Sequence, residues 1–231
     1  MEVKFKPKIF IHSLLSDDLL SRLEKNFDID HHDTIKSILS GNELLDRVKN
    51  VEGILVQSAL IDKTLIEACP NLKVICNVGV GFDNIDANFC TKMGIQVTNT
   101  PGILNDAVAD MSMALLLAVA RRVPEGDRIV RSGGFKSNFY HLLWGADLRG
   151  ENLGIIGMGS IGQDVAKRAT PFGLNIKYHN RNRLSKNIES SLNGEWMSLE
   201  GLLKSCRYIL ILCPLTKETK HLIMIKEFES M

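Results

Sequence analysis

The sequence has 231 residues, 45% of them hydrophobic and 24% charged, with a formal net charge of +1. That balance suits one large or two small globular domains and leaves no broad basic face for nucleic acid or a membrane surface. Five cysteines (Cys69, Cys76, Cys90, Cys206, Cys213) form no C-x-x-C pair, and the opening MEVKFKPKIFIHSLL is too short an apolar run for a secretory signal or a spanning helix. The reading is a chain of reduced thiols in the cytoplasm.

In chain order, apolar runs predict strands over 8–13, 53–57, 72–77 and 95–98, with helical patterns over 14–26, 43–49 and 62–69 between them. Alternating strands and helices imply a parallel sheet covered on both faces. Beyond the strand at 72–77 lies Asn77-Val78-Gly79-Val80-Gly81-Phe82-Asp83-Asn84. Ligands of open parallel sheets bind past the carboxyl ends of strands. From spacing alone this turn reads equally as a backbone nest for a carboxylate or as a plain turn with Asp83 and Asp86 capping the next helix.

Asn99-Thr100-Pro101-Gly102 is a breaker cluster and places a domain boundary near Pro101. A helix over 105–122 follows, and its run 111–120 is apolar almost all round, so it predicts burial between domains or subunits. Pro124 starts a further helix that ends at Gly133-Gly134, and 135–150 reads as a loop carrying Trp144.

The stretch 152–183 carries the strongest signal. An apolar strand over 153–156 runs into Gly157, Gly159 and Gly162, spaced G-x-G-x-x-G, then into a helix ended by Pro171 and Gly173, then into a strand over 175–178. Gly157 permits the tight turn, Gly159 lets backbone approach a pyrophosphate, and Gly162 lets the helix lie close to the strand. The free N–H groups and the dipole at the helix start suit phosphate. Strand, turn, helix and second strand in this order make a dinucleotide site. A site for NAD places an acid at the end of the second strand to hold the ribose 2′-hydroxyl. Here Asn180 stands there, followed by Arg181 and Arg183. An amide with two guanidinium groups suits a 2′-phosphate and predicts NADP(H) over NAD(H); the alternative is a pair of solvated loop charges. Ser198 then caps a short helix to Lys204, a strand follows over 208–212, and 225–231 begins a helix.

Together NVGVGFDNID (77–86), VTNTPG (97–102), AVADMSMALLLAVARRVPEGD (107–127), GIIGMGSIGQ (154–163) and CPLTKETKHLI (213–223) resemble the D-isomer-specific 2-hydroxyacid dehydrogenases. YHNR at 178–181 is most similar to their glyoxylate/hydroxypyruvate reductase branch, which prefers NADPH. The resemblance implies an α/β fold: a flavodoxin-like substrate domain, N-terminal part, at 1–101, then the first half of a truncated, doubly wound Rossmann domain at 102–231. It implies that Val80 and Gly81 bind the substrate carboxylate through backbone N–H, that Ser160 and Ile161 meet the pyrophosphate, and that Cys213, Pro214 and Thr219 line the adenosine side. The helix at 105–122 would serve a homodimer.

In the family the catalytic Arg follows the next Rossmann strand, in a segment like N-x-A-R-G, and its Glu and acid/base His come later. All three lie beyond Met231, so the chain reads as a truncated member with no catalytic residue of its own. None of the six histidines (His12, His31, His32, His141, His179, His221) sits where it could replace the acid, and no metal-ligand spacing is visible. The function implied is NADPH-dependent reduction of glyoxylate or hydroxypyruvate to the D-2-hydroxy acid. The alternative is a non-enzymatic dinucleotide-binding or dimerising module, since dinucleotide-sensing corepressors share the fold.

Overall fold

The computed structural model describes residues 5–35, 37, 39, 41–136 and 143–231; His141 and part of the expected loop at 135–150 lie outside them. The chain divides into two compact units, Met1–Gly102 and Ile103–Met231.

The first unit alternates β1 (Lys8–His12), α1 (Asp17–Glu24), β2 (Asp28–His32), α2 (Gly41–Val48), β3 (Gly53–Val56), α3 (Lys63–Glu67), β4 (Val74–Asn77), α4 (Ala87–Lys92) and β5 (Gln96–Thr98). All pairings are parallel, in the order β2-β1-β3-β4-β5. That is the flavodoxin-like order, with its switch point between β1 and β3. The central strands are apolar because helices cover them; Phe10, Ile54, Val56 and Ile75 pack with Val48, Leu65 and Ile66. Short polar side chains satisfy backbone donors at the helix starts. Ser16 accepts from Leu19 N–H at 3.4 Å, Asp62 from Leu65 N–H at 3.0 Å and Asp86 from Phe89 N–H at 3.0 Å. The strand β2 has no counterpart among the apolar runs. Its sequence, DIDHH, pairs only with β1 at the sheet edge, where charge is tolerated and discourages further pairing.

The second unit contains α5 (Asn105–Ala120), α6 (Val123–Arg131), β6 (Asn152–Ile156), α7 (Ser160–Ala169), a 3₁₀ turn at Thr170–Phe172, β7 (Asn175–His179), α8 (Lys186–Leu192), β8 (Gly194–Trp196), α9 (Leu199–Ser205), β9 (Tyr208–Ile211) and α10 (Ile225–Glu229). Its sheet is parallel, in the order β8-β7-β6-β9. The strand at 208–211 is therefore the fourth of the unit and lies across β6 from β7 and β8; apolar runs alone count it as the third. Leu153 and Ile155 of β6 pack toward Val165, Ala166, Ala109 and Met113, whereas Ile156 packs with Leu202 and Leu203. Gly154 brings α9 close to the sheet: a Cβ there would meet Leu202 Cδ2 at 2.5 Å.

The helix α5 buries Ala109, Met113 and Leu116 and is pinned to α7 by Arg168, which donates to Asp106 at 2.6 Å and Asp110 at 2.7 Å. Its other face stays open: Met111 is 59%, Leu115 58% and Val119 74% exposed. Among the described residues no helix is long and apolar enough to cross a membrane.

One buried group stands apart. His12, at the end of β1, is 5% exposed, and neither ring nitrogen meets a hydrogen-bond partner among the described residues. It stacks on His32 with ring centroids 5.6 Å apart, with Phe10 and the Arg47–Asp30 pair nearby. Burial, then His32 and Arg47, push its pKa below the ordinary imidazole value. The unfolded chain therefore takes up this proton first as pH falls, so the contribution to stability is complete above the ordinary imidazole pKa and is lost progressively below it. His12→Leu should stabilise the first unit by about 1 kcal/mol at pH 8 by removing unsatisfied buried polar atoms. It should also reduce the loss of stability between pH 8 and pH 5; urea melts at both pH values check this, and an unchanged pH dependence would contradict it.

Candidate functional site

In the second unit the carboxyl ends of β6 and β9 adjoin at the point where the strand order reverses. Such a switch point opens a crevice in a doubly wound sheet. The chain turns out of β6 through Gly157, whose φ of +101° is a conformation L side chains avoid. A Cβ on Gly157 would overlap Cys213 N and lie 2.7 Å from Cys213 Cα. The turn is thus pressed against the chain leaving β9. A Cβ on Gly162 would lie 2.5 Å from Gly157 O, so this glycine lets α7 start directly behind the turn. Gly159 differs: its φ is −79° and nothing lies within 4 Å of its Cβ position. Its lack of a side chain serves the open space in front of it, not the packing behind.

No side chain caps α7 at Gly159. The first-turn N–H groups of Ser160, Ile161 and Gly162 are left for an outside acceptor, and the dipole adds positive potential there. Gly159 and Ser160 are exposed and Ile161 is half-buried. The arrangement fits a pyrophosphate.

Asn180, beyond β7, does more than omit a charge. Its Oδ1 accepts from Met158 N–H at 2.7 Å, and its own carbonyl accepts from Trp196 Nε1–H at 3.1 Å. The side chain clamps the glycine turn from the end of β7, a role the spacing did not reveal. Arg181 is exposed and makes no hydrogen bond or ion pair among the described residues. The carboxyl of Glu218 lies below its ordinary range, chiefly through Thr216 and in smaller part through the charge of Arg181. Arg183 is held by Glu189, with Nε at 2.8 Å from one carboxylate oxygen and a terminal nitrogen at 2.9 Å from the other. Cys213, Pro214 and Thr219 lie in the segment after β9, where Thr219 Oγ1 donates to Pro214 O at 2.6 Å and accepts from Thr216 N–H at 2.7 Å. A separate cleft of about 400 Å³, lined by Asn175, Lys177, Gly194 and Glu195, sits at the amino ends of β7 and β8, away from the glycine turn.

In the first unit, the turn after β4 has its carbonyls occupied. Gly79 O accepts from Thr100 N–H at 3.0 Å, Val80 O from Asn99 Nδ2 at 2.8 Å and Gly81 O from Asn77 Nδ2 at 2.6 Å. The N–H groups of Gly79, Val80 and Gly81 have no acceptor among the described residues. With the carbonyls tied back, the turn presents donors, as a nest does. Gly79 and Gly81 line a cavity of about 260 Å³ with Ser58, Asn77, Asp83 and Asn84, and Val80 is not among its lining residues. Asp86 caps α4 as expected, while Asp83 lines the cavity and caps no described helix. None of the described histidines lines it. His179 Nδ1 bonds Met197 O at 2.9 Å, His31 Nε2 bonds Ser13 O at 3.0 Å, and His221 occupies a tight bend with φ of 59°. Among the described residues no cluster of side chains could hold a metal.

The glycine turn separates folding from binding. Gly157→Ala should cost on the order of 2–4 kcal/mol through strain and overlap with Cys213. Gly159→Ala should leave stability within about 0.5 kcal/mol yet weaken dinucleotide binding by about tenfold or more, since a methyl group fills the approach to the helix start. Thermal melts and NADPH fluorescence titrations distinguish the two; equal losses of stability in both would refute the division.

Residues 113–231 match the family described as D-isomer specific 2-hydroxyacid dehydrogenase, NAD binding domain. A glyoxylate reductase from Pyrococcus horikoshii is 44% identical over 223 residues, covering 94% of this chain and 66% of that protein. A crystal structure of a protein from Thermus thermophilus superposes with a TM-score of 0.87 at 38% identity, covering 97% of this chain and 70% of the other. The NADPH-dependent glyoxylate/hydroxypyruvate reductase of Sinorhizobium meliloti, solved with NADP and malonate, gives a TM-score of 0.81 at 27% identity, covering 98% of this chain and 68% of that one. The chain spans 66–69% of the length of the first curated relatives it matches.

Proposed function

Because this chain belongs to the D-isomer-specific 2-hydroxyacid dehydrogenase family, we propose that it supplies the dinucleotide site, for NADP(H) in preference to NAD(H), and the substrate-carboxylate turn of an enzyme that reduces a small 2-oxo acid, glyoxylate or hydroxypyruvate, to the D-2-hydroxy acid. The observation that carries the cofactor reading is the uncapped start of α7 behind Gly157 and Gly159, with Asn180 and an uncommitted Arg181 at the end of β7. Ser160 and Ile161 hold the pyrophosphate, Arg181 reaches the 2′-phosphate, and Cys213, Pro214 and Thr219 line the adenosine side. A nicotinamide dinucleotide supplies the hydride that such a reduction requires. Val80 and Gly81 offer backbone N–H groups to the substrate carboxylate. Those donors carry no charge of their own, and Asp83 lines the cavity beside Gly81, so recognition rests on fixed dipoles rather than on a cation.

Support for the reading comes from the relatives. The similar proteins include glyoxylate reductases and a structure solved with NADP and malonate. Five free thiols fit a reducing, cytoplasmic compartment.

A charge-assisted bond to a phosphate contributes about 1.5–3 kcal/mol. Arg181→Ala should therefore lower the NADPH-to-NADH affinity ratio by about tenfold or more. Fluorescence titration with each nucleotide measures it, and a ratio unmoved by the substitution would defeat the phosphate assignment.

The exposed stripe of Met111, Leu115 and Val119 suits a homodimer formed through α5, on which a second copy would bury matching apolar surface. Val119→Asp places a charge in that face and should shift the species seen by light scattering from dimer to monomer. A dimer of undiminished affinity would place the contact elsewhere.

A further inference from the structure

The loop after β7 is held at both ends, and one of the groups holding it is a nearly buried carboxylate. Glu189, in α8, is 8% exposed. One of its oxygens accepts from the Tyr178 hydroxyl at 2.7 Å and from Arg183 Nε at 2.8 Å; the other accepts from Arg183 at 2.9 Å. The Tyr178 hydroxyl in turn accepts from Leu184 N–H at 2.9 Å. A desolvated carboxylate is costly unless paired, and an apolar side chain would fill the same volume without that cost. Both oxygens are spent on fixing one loop in place. At the loop's start, Asn180 is fastened to Met158 and Trp196. Only Arg181 and Asn182 lie between the two anchorages.

We infer that Glu189 is a positioning residue for cofactor discrimination: through Arg183 and Tyr178 it sets the loop from which Arg181 reaches the 2′-phosphate. The inference rests on the NADP(H) reading above and deepens it. Arg183 serves as a strut, not as a second phosphate ligand. Its pairing also holds the Glu189 carboxyl below the ordinary carboxylate range, first through Arg183 and then through Tyr178, so the strut is charged and intact at neutral pH. Conformational freedom returned to the loop would make Arg181 fix its own position at the moment of binding, at a cost that NADH, lacking the phosphate, does not incur.

The test is a set of nucleotide titrations on the 231-residue chain with Glu189→Gln, Arg183→Ala and the double variant, alongside Tyr178→Phe. Glu189→Gln and Arg183→Ala should each lower the NADPH-to-NADH affinity ratio by about three- to tenfold, the scale of one lost hydrogen-bonded contact. The double variant should lower it no further, because both act through one strut. Tyr178→Phe should move the ratio in the same direction. A purely structural role would lower the melting temperature and leave the ratio unchanged, which overturns the inference. A direct phosphate role for Arg183 would appear as a fall with Arg183→Ala and no change or a rise with Glu189→Gln, and would overturn it equally. Failure of the unaltered chain to bind either nucleotide would instead overturn the cofactor reading beneath it. Arg183 is exposed, so its variant keeps the test open should Glu189→Gln fold poorly.

Discussion

The second unit depends on one close approach: the backbone leaving β9 at Cys213 runs against the α-carbon of Gly157, where no side chain could stand. That contact requires a glycine at positive φ, and positive φ turns the chain sharply from β6 into α7. Gly162 then lets the helix begin against the turn. The consequence is electrostatic. A ten-residue helix aims its uncapped start at the crevice between β6 and β9, and nothing among the described residues satisfies those donors. Sterics at two glycines create the packing, and the unsatisfied N–H groups in front of the third create the binding potential.

Neutral amides shape the loops of both units. Asn77 and Asn99 draw back the carbonyls of Gly81 and Val80, and Asn180 holds Met158. Each fixes a loop that presents backbone donors without adding a charge of either sign. An acid at any of these places would repel an anion; a lysine would bring a mobile cation where a fixed dipole suffices. At the end of β7 the cations are Arg181, uncommitted among the described residues, and Arg183, paired with Glu189.

Much of this was legible in the sequence because it follows from local rules. Apolar runs mark β1, β3, β4, β6 and β9, and G-x-G-x-x-G after such a run marks the turn. Two missed strands lack those signals. β2 reads DIDHH and β8 is three residues, GEW; both are edge strands whose pairing is dictated by the neighbouring strand rather than by their own burial. Without β8, β9 looks like the third strand of the unit. Tertiary partners were likewise invisible. The bond from Asn180 to Met158 spans 22 residues, and the pairing of Arg183 with Glu189 leaves no mark in the spacing.

We propose that the start of α7 is the phosphate-binding surface of this chain. Backbone amide NMR during titration with NADPH tests it most directly. The expected result is saturable shifts in the N–H resonances of Ser160, Ile161 and Gly162, accompanied by Arg181. Shifts concentrated instead around the cleft of Asn175, Lys177 and Glu195, with the α7 amides unmoved, would contradict that placement.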